Sequence, residues 1–259
     1  MTLFSSLYTG RLDRELGTDD STQLFTTARR KSAINEAQAE FADLTDCLQR
    51  QSTVTIAGGT AEYNLNSSAV LDGFVRLSKE QVQFRYTDAA GDVTVLAGDD
   101  LPRRDVEWLN RYEPGWQYST FASSLQQMPA FHYIRQDGGN VYLGFYPTPS
   151  TGSSASAEAV VPYLAAPTPM TSDTSEPFTV NSSVRSDLRI YHQALVHYAA
   201  HQLEKLRRDD QASDRQLQRF LSYVVRFKQD MRRKGGAVLT FARDYFNTRG
   251  RDRGTDPRR

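Results

Sequence analysis

The chain has 259 residues, of which 39% are hydrophobic and 24% charged, a composition typical of a globular protein with its own core. No segment has the apolar length of a membrane span, and the first residues lack the pattern of a secretory signal, so we expect neither a membrane partner nor secretion. Cys47 is the one cysteine, which excludes an intramolecular disulfide and fits assembly in a reducing cytoplasm.

The balanced charge, with 31 basic and 31 acidic residues, hides an asymmetry between the body and the C-terminal end. Residues 231–259 contain nine Lys or Arg and three Asp, which leaves 22 basic and 28 acidic residues in the rest of the chain. An acidic body therefore carries a basic tail. Such a tail either stays solvated or docks on an acidic partner surface or on nucleic acid.

Near the start of the chain, the sequence predicts a short helical turn over residues 18–28 and a longer helix over residues 32–51. Asp20 or Ser21 would cap the turn, and Ser32 would cap the helix. Apolar residues of the longer helix recur at spacings of three and four, which places them on one face. We expect this stripe to pack in a core; it comprises Ile34, Ala37, Phe41, Leu44 and Leu48.

The middle of the chain consists of short β-prone runs separated by turn residues, a pattern that predicts strands. We expect them at residues 52–56, 61–65, 74–77, 81–86, 93–97, 131–135, 140–146 and 159–164. Gly58-Gly59 marks a turn between the strands at residues 52–56 and 61–65. Gly138-Gly139 is a clear hairpin signal between the strands at residues 131–135 and 140–146. Residues 101–112 look helical. Six of the ten prolines fall within residues 147–177, so we expect loops and edge strands there and no central strand.

Two further helices are predicted near the C-terminus, over residues 186–208 and 211–234, and the short loop between them makes them antiparallel neighbours. Gly235-Gly236 would end the second. The apolar stripe of the first helix is Leu188, Tyr191, Leu195 and Tyr198, and that of the second is Leu217, Phe220, Val224, Phe227 and Met231.

These elements predict an α+β fold in which an antiparallel helical bundle is built from the two ends of the chain. The bundle would comprise residues 1–51 and 180–234, with a β-rich domain inserted at residues 52–179 and an extended tail at residues 235–259. We expect the core of the bundle to contain Ile34, Phe41, Leu44, Leu195, Tyr198, Phe220, Val224 and Phe227.

No segment carries the residue pattern of a catalytic or metal site. His197 and His201 are four residues apart and fall on one helical face, but the glutamate of a zincin motif is missing between them. His192 would lie about 140° around the helix from His197, too far to complete a site. The glycine pairs lack the Lys-Ser or Lys-Thr of a phosphate loop. We therefore predict a protein that is not an enzyme and needs no metal or cofactor.

The order of these parts resembles that of the head-to-tail connector adaptors of tailed bacteriophages. The resemblance rests on RKSAINEAQ at residues 30–38, which is similar to their opening helix, and on VYLGFYPTP at residues 141–149, which is similar to a strand that ends in a Pro-x-Pro turn. VVPY at residues 160–163 resembles the next strand, and residues 187–210 resemble a helix rich in Leu, Tyr and Ala.

The resemblance implies a structural virion protein, assembled in the host cytoplasm, that forms a ring of commonly twelve copies between the portal and the tail. Its partners would be the portal ring, a tail or nozzle (stopper) protein and further copies of itself, and DNA would pass through the lumen without being read. The C-terminal segment would insert into the portal ring. That tail is too apolar to be purely solvating, and its expected docking residues are Val238, Leu239, Phe241, Arg243, Tyr245 and Phe246.

Three alternatives remain open from the sequence. The chain can be another phage tail component, such as a tail tubular protein, or a β-rich receptor-binding module with helical supports. A hydrolase with a metal at the helical histidines is the third.

Overall fold

The computed structural model describes residues 3–17, 24–78, 82–114, 116, 128–149 and 156–233. Over these residues the fold is α+β, as predicted, with five α-helices. The helices are α1 (Leu12–Leu16), which continues a π-helical segment (Ser6–Arg11), α2 (Thr27–Thr45), α3 (Val106–Tyr112), α4 (His192–Arg207), which follows a 3-10 helix (Ser186–Tyr191), and α5 (Asp210–Arg233).

The strands of the described residues form two larger sheets and one two-stranded ribbon. They are β1 (Gln49–Ile56), β2 (Glu62–Asn64), β3 (Phe74–Leu77), β4 (Gln83–Thr87), β5 (Val93–Leu96), β6 (Arg103–Arg104), β7 (Phe131–Asp137), β8 (Asn140–Tyr146), β9 (Ser156–Ala165), β10 (Thr179–Val180) and β11 (Ser183–Val184). A 3-10 turn (Gly98–Asp100) follows β5.

Contacts divide the chain into two compact units. One contains residues 38–187 with Leu3, and the other contains residues 4–37 and 188–233 of the described part. The boundaries fall inside α2 and inside the 3-10 helix, whereas the sequence placed them after residues 51 and 179. The C-terminal half of α2 belongs to the β-rich unit because its side chains bind there: the Gln38 amide accepts the N–H of Phe178 at 2.7 Å, and Phe41 packs on the Phe178 ring.

Helix α2 begins and ends earlier than the sequence indicates. The hydroxyl of Thr26, not Ser32, faces its first turn and accepts the N–H of Arg29 at 3.4 Å. The predicted end at residue 51 is wrong, because Asp46 takes a positive φ of 52° after Thr45 and the chain enters β1 at Gln49. Long-range pairing with β9 is the cause of this difference. It places Gln49, Arg50 and Gln51 in β1, although local propensity predicted a helix there.

Strand β9 is the centre of the five-stranded sheet, whose order is β1-β9-β4-β5 with β3 also on β9. The expectation of no central strand among the prolines is therefore wrong, since Pro162 lies within β9. In a strand the N–H and C=O of one residue point to the same side. The Pro162 carbonyl accepts the N–H of Ser78 at 3.1 Å, so it points away from β1. The side on which Pro162 lacks an N–H is therefore also the side away from β1, between the part of β9 that pairs with β4 and the part that pairs with β3. No hydrogen bond to β1 is lost.

The second sheet has the order β2-β8-β7-β6, and β7 and β8 form the hairpin predicted at Gly138-Gly139. The first glycine pair joins strands of different sheets, since β1 pairs with β9 and β2 pairs with β8. Gly144 of β8 lies opposite Tyr133 of β7, whose ring covers the place of its missing side chain. The ring packs in a cluster that includes Trp116 and Leu109.

In the other unit, α4 and α5 run antiparallel, as predicted from the short loop between them. Residues at the start of α4 contact residues late in α5, and residues farther along α4 contact residues early in α5. The contacts are Tyr191 on Phe227 with ring centroids 5.2 Å apart, Tyr198 on Phe220 at 4.8 Å, and His201 on Ser213. Arg208, with a left-handed φ of 62°, forms the corner between the two helices.

Candidate interaction surfaces

The structure buries most residues that the sequence assigned to a helical core, but in two separate units. Phe41 belongs to the β-rich unit, while Ile34, Leu195, Phe220, Val224 and Phe227 belong to the other unit, and all six are buried. Leu44 and Tyr198 are only half-buried. At the end of α2 it is Thr45, bonded through its hydroxyl to the Phe41 carbonyl, that is buried in place of Leu44.

The predicted docking residues of the tail, from Val238 to Phe246, lie outside the described residues. Of the predicted stripe on α5, Met231 at its C-terminal end is 40% exposed and Leu217 is half-buried.

The three histidines of α4 are buried, and His197 and His201 take part in hydrogen bonds that hold the helices of this unit together. The Nδ1 atom of His197 lies 2.8 Å from Oε1 of Gln216, whose amide donates to Glu15 at 3.1 Å. The Nδ1–H of His201 donates to the carbonyl of Ser213 at 3.0 Å. Burial is the main cause that lowers the pKa of His201, so it is neutral in the folded chain near pH 7.

This arrangement links helices and does not gather ligands. His197 and His201 bond to different partners on α5, one through Gln216 and one through Ser213. Within the ranges that the structure describes, no group of three or more His, Cys, Asp or Glu could hold a metal ion. Burial raises the pKa of the Cys47 thiol to about 12, which keeps it protonated and unreactive.

The outer strand β5 is an exposed sheet edge that sequence reasoning did not single out. Val93 and Val95 are 61% and 49% exposed. Over the described residues, β5 pairs with β4 and with no other strand. The β-prone sequence predicted a strand here, but its position at the edge follows only from the pairing of β4 with β9.

The turn before β5 fixes which backbone groups face that edge. The Asp88 carboxylate accepts the N–H groups of Ala90 and Asp92, both at 2.9 Å, and Gly91 takes a φ of 90°. Asp88 donates its own N–H to the Asp92 carbonyl at 3.0 Å. From this pair onward, residue pairs that are hydrogen-bonded to each other alternate along the hairpin with pairs that are not. The N–H and C=O groups of Val93 and Val95 therefore point away from β4, toward the free edge.

The surroundings of β5 are acidic. Asp92 precedes it, and the exposed Asp99 and Asp100 follow it in the 3-10 turn. Residues 85–100 contain four Asp against a single Arg, Arg85. The edge thus combines open hydrogen-bonding groups, apolar side chains and negative charge.

The solvent face of α5 carries the opposite charge. Arg215, Arg219, Arg226 and Arg233 are exposed and fall within about 40° of one another around the helix. Arg219 binds Glu15 at 3.1 Å, and Arg226 lies 3.9 Å from Asp230. We call these four residues the arginine stripe; it continues in sequence into the basic tail.

Among the described residues, no helix is both long enough and apolar enough to cross a membrane. A search among curated proteins finds no match to the chain. A protein-family model described as SU10 adaptor protein matches residues 2–241.

Proposed function

The chain belongs to the SU10 adaptor protein family of phage structural proteins, and on that premise we propose that it is one subunit of a ring that joins the portal of a tailed bacteriophage to its tail. The single observation that carries the proposal is the family match, which extends over residues 2–241 of 259. The family is one of structural adaptors and not of enzymes. Its members interact with other phage structural proteins, and the location is the virion.

We further propose that the ring contains about twelve copies and lies in the neck, with the portal ring on one side and a tail or stopper protein on the other. The resemblance of the chain to head-to-tail connector adaptors, together with the family match over residues 2–241, supports this arrangement. Electron microscopy of the chain mixed with its portal tests the proposal. We expect a ring stacked on the portal, and a chain that leaves the portal bare would contradict it.

The contact with the portal is assigned to the C-terminal tail. Tyr245 and Phe246 are aromatic anchors, and Arg243 can form charge-assisted bonds with portal carboxylates. Val238, Leu239 and Phe241 complete the apolar part of the docking segment. Such segments order on a partner at an entropic cost, so their contribution depends on the partner surface.

Truncation tests this assignment. A chain that ends at Lys234 should melt at nearly the wild-type temperature but fail to co-sediment with portal rings. A chain that lacks only residues 250–259 is the matched control, and it should still assemble. If the chain ending at Lys234 binds the portal at wild-type stoichiometry, the assignment is wrong.

We propose that DNA passes through the lumen of the ring without recognition of its sequence. The arginine stripe of α5 supports this, because exposed guanidinium groups at helical spacing can contact phosphates whatever the bases are. Replacing Arg215 and Arg226 by Gln should lower the salt dependence of DNA binding by a log–log slope of about 2. The same replacements at Arg103 and Arg111, in the β-rich unit, should leave it unchanged. A preference for one DNA sequence over a scrambled one at equal salt would contradict the proposal.

A further inference from the structure

We propose that residues 237–241 of one copy add as a strand to the free edge of β5 in a neighbouring copy. The inference rests on the proposed ring, whose subunits must contact one another, and it names the surfaces that do so. The segment AVLTF is apolar, β-prone and free of proline, and it follows the two glycines after α5. Its partner is the acidic, apolar edge formed by Val93 and Val95.

Open hydrogen-bonding groups are the first reason for this assignment. The N–H and C=O groups of Val93 and Val95 point to the free edge, so an added strand gains two donors and two acceptors there. The exposed side chains of the same two residues, 61% and 49% accessible, can pack against the side chains of the incoming strand. Strand addition uses these two kinds of contact together.

Charge complementarity selects the tail as the occupant. Arg232, Arg233 and Lys234 precede the segment and Arg243 follows it, so a basic residue lies at both ends. Acidic residues lie at both ends of β5, with Asp92 before it and Asp99 and Asp100 after it. The same charges oppose the pairing of β5 with another β5, since aspartates would then face aspartates.

Another outer strand of the same sheet, β1, lacks these features. The carbonyl of Leu48, the residue before β1, accepts the N–H of Ala165 at 3.1 Å. Residues that bond to β9 alternate with residues that do not, so the N–H and C=O of Thr53 point to the free side of β1. Thr53 is exposed, but its neighbours along that edge are Gln51 and Thr55, which carry neither charge nor a large apolar side chain. Thr53 therefore provides a matched control position.

A second copy is the partner because of symmetry. A contact between two different surfaces of identical subunits passes from each copy to the next, and such contacts close into a ring when the rotation allows it. A strand pairs through its backbone while its side chains project above and below the sheet. The side chains on the other face of the added strand, and Arg243, Tyr245 and Phe246 beyond it, therefore remain available to the portal.

A peptide titration without portal tests the contact. A synthetic peptide of residues 232–249 is added to the chain that ends at Lys234, and binding is followed by fluorescence anisotropy. Val95→Pro removes an outward N–H, and we expect it to weaken binding at least about tenfold. Thr53→Pro removes the corresponding N–H of β1 and should leave binding unchanged. Equal binding by both variants, or no binding to the parent chain, would overturn the proposal, provided that both variants melt like the parent.

A mixing experiment distinguishes a second copy from the same copy. The chain that ends at Lys234 has an edge and no tail, whereas full-length Val95→Pro has a tail and a blocked edge. Each alone should sediment as a monomer, and their equimolar mixture should form heterodimers. A mixture that remains monomeric would overturn the pairing between copies. Because no portal is present, these results are independent of the co-sedimentation that tests docking of the tail on the portal.

Discussion

Gly144→Ala tests the packing of the second sheet in a way that separates two opposed effects. A glycine within a strand or helix usually costs about 0.5–1 kcal/mol relative to alanine because it loses more backbone freedom on folding. On that ground alone the substitution would stabilise the protein. In the structure, however, a Cβ at residue 144 would lie 2.5 Å from Cε2 and from the phenol oxygen of Tyr133, and closer still to Cζ.

The ring cannot yield cheaply, since Tyr133 is 1% exposed and packs edge-on against Trp116 with centroids 5.0 Å apart. Overpacking of this kind costs about 1–3 kcal/mol. We therefore expect Gly144→Ala to lower the free energy of unfolding by about 1–3 kcal/mol, opposite in sign to the propensity effect.

Urea unfolding followed by tryptophan fluorescence measures this change where it occurs, because Trp108 and Trp116 are the two tryptophans of the chain and both adjoin this cluster. Gly10→Ala is the control: apart from its chain neighbours and the backbone of its own helix, no atom lies within 4 Å of an added Cβ, so it should be neutral or stabilising by up to about 1 kcal/mol.

A double mutant identifies the ring as the cause. In a Tyr133→Leu background the atoms that clash are gone, so Gly144→Ala should become neutral or stabilising there. The two substitutions would then differ from additivity by about 1–3 kcal/mol. Additive effects would refute the reasoning, because they would mean that the cost at residue 144 does not arise from the tyrosine ring.

Three further predictions concern other parts of the chain. Phe41→Ala and Phe220→Ala should each lower the free energy of unfolding by about 3–5 kcal/mol, since both rings are fully buried; variants that melt with the wild type would show that the stripes do not face a core. Asp105→Ala should cost about 1 kcal/mol in chemical denaturation because it removes the N-cap of α3, and Asp105→Asn should retain most of it. Because the pKa of His201 is lowered in the folded chain, the unfolded chain takes up a proton more readily. The contribution of His201 to the free energy of unfolding should be full above pH 6.5, the ordinary pKa, and should fall as the pH drops below it. His201→Gln should make the melting temperature less dependent on pH across that range.

Local patterns in the sequence carried much of the secondary structure. The 3-4 spacing on α4 and α5 predicted two helices, because helical periodicity depends on residues only a few positions apart, and the short loop between them predicted their antiparallel pairing. The turn at Gly138-Gly139 predicted the β7–β8 hairpin for the same reason. The order of helices and strands also indicated the phage adaptor resemblance, and the family match confirms it.

Features that depend on distant partners were not accessible in this way. Local propensity continued α2 through Gln49-Arg50-Gln51, but pairing with β9, more than a hundred residues away, places them in β1. Pro162 argued against a central strand until the structure showed that its missing N–H faces a gap between two neighbours. His197 and His201 suggested a possible metal pair by spacing alone, whereas α5 supplies each with a different partner.

The sequence by itself determined helices α4 and α5, the hairpin at Gly138-Gly139 and the basic C-terminal end, since periodicity, turn residues and composition are properties of neighbouring positions. The class of protein followed from the resemblance in the order of these parts. Only the tertiary structure decided that β5 is an edge and which way its backbone groups point. A strand becomes an edge when no other strand pairs with it, and pairing is set by residues far away in the sequence. The apolar residues of the tail indicated that it binds a partner, but the surface that we propose for it forms only when β4 pairs with β9.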